Sequence, residues 1–162
     1  DTSAADSAQN KDIEEEPKET KETEEIQSEE QTEQDLQVQA ASYGWNKQGN
    51  NWYYINPQTK NKVSGWQKIS GKWFYFSSAG WMQIGWQKVQ GKWYYLGNDG
   101  KMVTGWKQIG GVWYYMDADG AMATGWRQTA PGHWYYLNAN GAMAASTVID
   151  GYTLDASGLW VR

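Results

Sequence analysis

Twelve Trp and eleven Tyr stand beside only two Phe in this 162-residue chain. A core built for stability alone would use Leu, Ile, Val and Phe, which carry no polar atom to satisfy once buried. Sets of Trp and Tyr rings suit a narrower chemistry. A quaternary ammonium ion has no hydrogen to donate, so a protein holds it with π faces, at about 0.5–2 kcal/mol per desolvated contact. The thioether of Met adds a polarizable wall suited to methyl groups. All three residue types recur here in register. Gly-Trp pairs fall at Gly44-Trp45, Gly65-Trp66, Gly85-Trp86, Gly105-Trp106 and Gly125-Trp126. Aromatic triplets follow at Trp52-Tyr53-Tyr54, Trp73-Phe74-Tyr75, Trp93-Tyr94-Tyr95, Trp113-Tyr114-Tyr115 and Trp134-Tyr135-Tyr136. Gly-x-Met closes each later unit, at Met82, Met102, Met122 and Met143. Trp, Trp, Tyr and Met recurring together fit trimethylammonium chemistry better than that of a carbohydrate or a nucleic acid.

The elements that must position these rings follow from the spacing. Gly-Trp returns after 21, 20, 20 and 20 residues, and a fixed period of this length marks a solenoid or array. Each unit reads as a β-hairpin. Lys68-Ile69-Ser70-Gly71 is expected to form a four-residue turn that sets Trp66 directly opposite Trp73. Strand alternation then puts Tyr75 on the face of Trp73 and Phe74 on the other. The middle triplet residues Tyr53, Phe74, Tyr94, Tyr114 and Tyr135 are expected to pack between hairpins. Asp117-Ala118-Asp119-Gly120 and its equivalents supply the turn into the next unit. A single hairpin is marginal in water, so stability must come from stacking. The expected fold class is all-β, a solenoid of stacked hairpins.

The ends depart from the pattern as caps do. The first unit carries Asn56-Pro57-Gln58-Thr59 and lacks Gly-x-Met. The last, from Ala145 to Arg162, replaces the triplet with Gly151-Tyr152-Thr153 and sets Trp160 where Met would stand. The fifth hairpin holds one extra residue in Thr129-Ala130-Pro131-Gly132-His133, expected as a longer turn that disturbs the pairing. Trp81 has no counterpart in the other units and reads as an exposed or packing residue.

Charge divides the chain. Residues 1–40 hold 14 acidic groups against three Lys, net −11, and no aromatic residue. Residues 41–162 hold five acidic groups against 11 Lys and Arg, net +6. The expectation is a disordered acidic tail or spacer over 1–41, too polar to offset chain entropy, and a repeat module over 42–162. The basic module prefers anionic surroundings. No apolar run approaches the length of a transmembrane span, and the missing Met and leader suggest a mature exported product. The chain has no Cys, which excludes disulfides and thiolate chemistry.

Catalytic sets are not evident. His133, the one histidine, lies in the irregular turn of the fifth unit, and Asp99, Asp117 and Asp119 sit at turn positions. No nucleophile triad, metal-ligand spacing or phosphate loop occurs, so neither an enzyme nor a cofactor is expected.

The stretch TGWKQIGGVWYYMDADGAMATGW, residues 104–126, resembles the choline-binding repeat of streptococcal surface proteins, autolysins and phage lysins. The likeness spans 42–162. It implies sites between consecutive hairpins, with two Trp from one hairpin and a Tyr, often with a Met, from the next. Carried over by position, the first set is Trp45, Trp52, Tyr75 and Met82, and the second Trp66, Trp73, Tyr95 and Met102. The third is Trp86, Trp93, Tyr115 and Met122, and the fourth Trp106, Trp113, Tyr136 and Met143. A fifth set, Trp126 and Trp134 with Tyr152 or Trp160, lacks the matching Tyr and is expected to be weak, absent or closed differently. The resemblance also implies the ligand, choline or phosphocholine of teichoic and lipoteichoic acids, and a secreted, non-catalytic protein held non-covalently on the bacterial wall. Two alternatives stay open at this point: a glucan-binding repeat module, and an adhesin whose acidic tail binds a host protein. Dimerisation through the atypical C-terminal hairpin is a property of some family members that these residues do not decide.

Overall fold

The computed structural model describes residues 42–162, and the acidic tail expected over 1–41 lies outside them. Among the described residues every regular element is a strand. The described chain falls into two compact units, 42–83 and 84–162.

The first unit holds two antiparallel hairpins. Strands β1 (Gly44–Gln48) and β2 (Asn51–Ile55) form one, and β3 (Gly65–Ile69) and β4 (Lys72–Phe76) the other. The second unit holds three more: β5 (Gly85–Val89) with β6 (Lys92–Leu96), β7 (Gly105–Ile109) with β8 (Val112–Met116), and β9 (Gly125–Ala130) with β10 (His133–Leu137). It ends in a three-stranded sheet of β11 (Thr147–Ile149), β12 (Tyr152–Leu154) and β13 (Trp160–Val161).

The turns are tighter than the sequence suggested. Ile69 pairs with Lys72, leaving only Ser70 and Gly71 in the loop, at φ of 50° and 78°. Two central residues with positive φ match the twist of the flanking strands, which is why hairpins favour them. The expected four-residue turn is therefore corrected to two. Trp66 lies opposite Tyr75, and Trp73 opposite Lys68. This register differs from the expected one by two residues. Because side chains alternate with period two, both Trp and Tyr75 keep their common face and Phe74 the other.

The fifth hairpin is corrected likewise. Ala130 pairs with His133 across Pro131-Gly132, and Gln128 pairs with Trp134, so the extra residue, Thr129, forms a β-bulge rather than a longer turn. Beyond the bulge Trp126 faces Tyr136, as Trp66 faces Tyr75.

Within each unit one recurring backbone bond ties a hairpin to the segment after the next. Met82 N donates to Trp52 O (2.7 Å), Met122 N to Trp93 O (2.8 Å) and Met143 N to Trp113 O (2.9 Å). The Met backbone thus lands on the second Trp of the preceding hairpin. Packing follows the same step. Phe76, Leu96, Met116, Leu137 and Leu154 are fully or almost fully buried. Each of the first four directly follows an aromatic triplet, two residues after the middle ring, so on β4, β6, β8 and β10 one face reads middle ring then a buried apolar residue. Of the middle rings, Tyr53, Phe74 and Tyr114 are buried, and Tyr94 and Tyr135 are half-buried.

The glycine of Gly-x-Met has a packing role that the motif alone does not disclose. A Cβ on Gly120 would lie 2.9 Å from Met102 Cε, one on Gly141 2.8 Å from Met122 Cε, and one on Gly158 2.6 Å from Met143 Sδ. The side chains of Met102, Met122 and Met143 each lie on the bare backbone of the next repeat's glycine.

Candidate aromatic cation site

Each regular hairpin builds the same corner of rings. Trp45 and Trp52 have centroids 6.3 Å apart at 84°, and the pairs Trp66–Trp73, Trp86–Trp93 and Trp106–Trp113 lie 6.3–6.5 Å apart at 86–87°. The register explains the corner. The first Trp faces the third triplet residue, and the second Trp stands two positions away on the same face. Tyr54, Tyr75, Tyr95 and Tyr115 accordingly pack on the first Trp of their own hairpin at 5.0–5.3 Å. Tyr136 does the same with Trp126 at 5.2 Å.

From the following hairpin the middle ring reaches the first Trp, and at Trp45 Phe76 also approaches, at 5.7 Å. Phe74 meets Trp45 at 4.9 Å, Tyr114 meets Trp86 at 4.9 Å, and Tyr135 meets Trp106 at 4.8 Å. The middle rings were assigned to packing alone; Phe74, Tyr114 and Tyr135 also form a wall of the first, third and fourth corners. The expectation had placed Tyr75, Tyr115 and Tyr136 in the first, third and fourth sets. Their ring contacts run to Trp of their own hairpins, while Met82, Met122 and Met143 join Trp52, Trp93 and Trp113 through the backbone bonds above. The second set is divided between the units, Trp66 and Trp73 in one, Tyr95 and Met102 in the other.

The corners differ in access. Trp52 is 38% exposed and Trp113 41%, but Trp93 is 9% exposed and Trp86 3%. Trp86, Trp93, Tyr114 and Met116 form one buried cluster, against which Ile109 and Val112 pack. Val112 occupies the place of Lys72 and His133 in their hairpins, and both of those are exposed. An aliphatic residue at that place lets the fourth hairpin seal the third corner. The sealing leaves Trp86 Nε1 and Tyr114 Oη buried without a partner, and burial pushes the Tyr114 phenol up to about 12. Tyr114→Phe, which installs the ring already present at Phe74, is expected to raise unfolding stability by about 1–3 kcal/mol, the cost of a buried unsatisfied group. The phenol also predicts alkaline weakening. Its folded value lies above the ordinary value of 10, so this group leaves stability unchanged with pH below 10, and the unfolded chain, ionising first, gains as pH rises from 10 towards 12. Urea melts of parent and variant across that range check both, and a variant less stable than the parent would show the hydroxyl to be bonded.

The fifth set gathers around one cavity. Trp126, Trp134, Tyr152 and Trp160 line a cavity of about 360 Å³, within the usual range of roughly 300–1,000 Å³ for small-molecule sites. Both alternative residues, Tyr152 and Trp160, line it. Tyr152 lies 5.7 Å from Trp126 at 82°, and 5.7 Å from Trp160 at 89°. Tyr152 follows the tight Asp150-Gly151 turn, at φ of 51° and 81°. The same turn aims Asp150 at the site, where its Oδ2 accepts from Trp126 Nε1 at 3.0 Å. Arg162 Cζ stands 5.1 Å from the Trp160 centroid, so that ring already carries a cation. Sequence reasoning missed Asp150, whose only signal is its position beside a glycine in a turn. Away from these rings, Arg127 makes a bidentate pair with Asp117 at 2.9 and 3.1 Å and fixes the turn before the fifth hairpin. Among the described residues no group of three His, Cys, Asp or Glu side chains is placed to hold a metal.

Hairpins of this register, stacked so that a ring of one hairpin walls the corner of the hairpin before it within the same unit, define an aromatic repeat module. The choline-binding repeat family matches residues 63–104 and 103–147, and a putative cell wall binding repeat matches 44–58. The chain belongs to the choline-binding repeat family. Among solved structures it is similar to CbpF in complex with ipratropium, at 42% identity and a TM-score of 0.70, over 75% of this chain and 39% of that one. It is similar to the modular autolysin LytC from Streptococcus pneumoniae, at 30% identity and a TM-score of 0.61, over 75% of this chain and 28% of that one. It also resembles a multimodular pneumococcal cell wall endolysin from phage Cp-1 complexed with choline, at 35% identity and a TM-score of 0.53, over 74% and 37%. The chain thus spans well under half the length of these proteins. A comparison with curated proteins finds no match.

Proposed function

We propose that residues 42–162 hold the protein on the bacterial cell wall by binding choline groups of teichoic and lipoteichoic acids, without catalysis and outside the cell. The observation that carries this reading is the cavity of Trp126, Trp134, Tyr152 and Trp160, with the Asp150 carboxylate on the edge of one wall. Three or four rings around a space of small-molecule size suit a trimethylammonium group, and a carboxylate beside them favours a cation over a neutral sugar. The exposed corners at Trp52 and Trp113 are weaker versions of the same site. The relative from phage Cp-1 was solved with choline, which supports the same ligand here. One corner binds weakly; several on one chain, meeting a polymer with many cholines, gain about 10²–10⁴ in avidity where geometry permits. The net charge of +6 over residues 41–162 suits a phosphate-bearing polymer.

Retention on a resin carrying tertiary or quaternary amines tests the reading. The protein is expected to elute with free choline and to stay bound in dextran. Elution by dextran, or passage through the resin unretained, would replace choline with a glucan or remove the amine ligand altogether.

A further inference from the structure

Trp81 has no counterpart in the other repeats, yet it is not idle. Its ring lies 5.8 Å from that of Tyr53 at 83°, nearly the corner that Trp45 and Trp52 make at 6.3 Å and 84°. The corner is filled. Lys62 Nζ stands 4.1 Å from the Trp81 centroid and 4.5 Å from that of Tyr53, both well within cation–π reach. By comparison, Lys47 and Lys88 approach the Trp opposite them in their hairpins only to 5.7 Å. Lys62 is held at its stem as well. It occupies the place that Met82 takes one repeat later, since Ile55 bridges to Lys62 as Phe76 bridges to Met82. Its Cδ lies where a Cβ on Gly80 would come within 2.9 Å, so the aliphatic stem rests on that glycine as the Met side chains rest on theirs. Burial lowers the Lys62 pKa, which marks an ammonium partly stripped of water.

We propose that Tyr53 and Trp81 form an additional organic-cation site, occupied by the chain's own Lys62. The first repeat lacks the Met that follows every later one and puts a lysine in its place. That lysine supplies internally the positive charge that the other corners are built to take from outside. The corner is therefore latent, and vacating it exposes a pair of rings with the geometry of a binding corner. The ligand class is a compact methylated ammonium, such as tetramethylammonium or choline.

The site goes beyond the wall-binding reading, and its test keeps the two apart. Tetramethylammonium is titrated by calorimetry into the full chain and into Lys62→Met, which keeps a side chain on Gly80 but removes the charge. Lys62→Ala, which clears the corner entirely, is measured alongside in case the Met variant folds poorly. Each variant is expected to bind one equivalent more than the parent, and adding Trp81→Ala is expected to abolish the gain. Folded variants with the stoichiometry of the parent, or a gain that survives Trp81→Ala, would overturn the proposal. A parent that binds no cation at all would count against the choline reading while leaving the gained equivalent to be read.

Discussion

Trp134→Ala is expected to weaken choline binding at the C-terminal cavity by about 10- to 30-fold, the factor that one desolvated ring contact near 2 kcal/mol supplies. Of the four lining residues, Trp134 separates binding from folding best. Trp126 packs on Tyr136 and Tyr152 and donates to Asp150, so its loss would loosen the hairpin as well as the cavity. Tyr152 and Trp160 bind one another within the terminal sheet. Trp134 stands past the bulge at Thr129, paired through its backbone with Gln128, and that pairing survives truncation. A choline titration followed by tryptophan fluorescence checks it, with thermal melting to show that the variant stays folded. A folded Trp134→Ala chain with the choline affinities of the parent would remove the cavity from the proposed mechanism.

The second large effect is on stability. Gly141→Ala is expected to cost about 2–5 kcal/mol, from two sources that add. Gly141 has φ of 85°, and placing an L-residue in the left-handed region costs roughly 1–2 kcal/mol. The new methyl group would also meet Met122 Cε at 2.8 Å and Met122 Cγ at 2.9 Å, and displacing a packed side chain costs about 1–3 kcal/mol. The two parts can be resolved. Met122→Ala in the Gly141→Ala background relieves the collision but not the backbone strain, so the double variant should lose less than the sum of the single losses. Strict additivity in urea melts would show that Met122 does not lie on Gly141.

Much of this protein was legible before any coordinates. The 20-residue period, the alternation within Trp-Phe-Tyr triplets and the glycine-bearing turns determined an all-β array of hairpins. Each depends on local geometry: side chains alternate along a strand, and a tight turn needs positive φ. Even the misplaced register did little harm, since a slip of two residues leaves Trp66, Trp73 and Tyr75 on one face. The Trp pairs were legible for the same reason, since both members come from one hairpin.

What a ring meets beyond its own hairpin was not legible. Phe74 rather than Tyr75 makes the ring contact to Trp45 because stacking brings the buried face of one hairpin against the Trp face of another. The extra residue at Thr129 was expected to lengthen the turn, and only strand pairing shows that it forms a bulge. The third corner is sealed and the fifth set keeps an open cavity, and neither outcome is written in the Trp pairs themselves. Tertiary structure decided it, because access depends on what the next unit lays over the rings. Val112 and Tyr114 cover Trp86 and Trp93, whereas the short Asp150-Gly151 turn stands Tyr152 at the side of Trp126 and leaves space between them and Trp160.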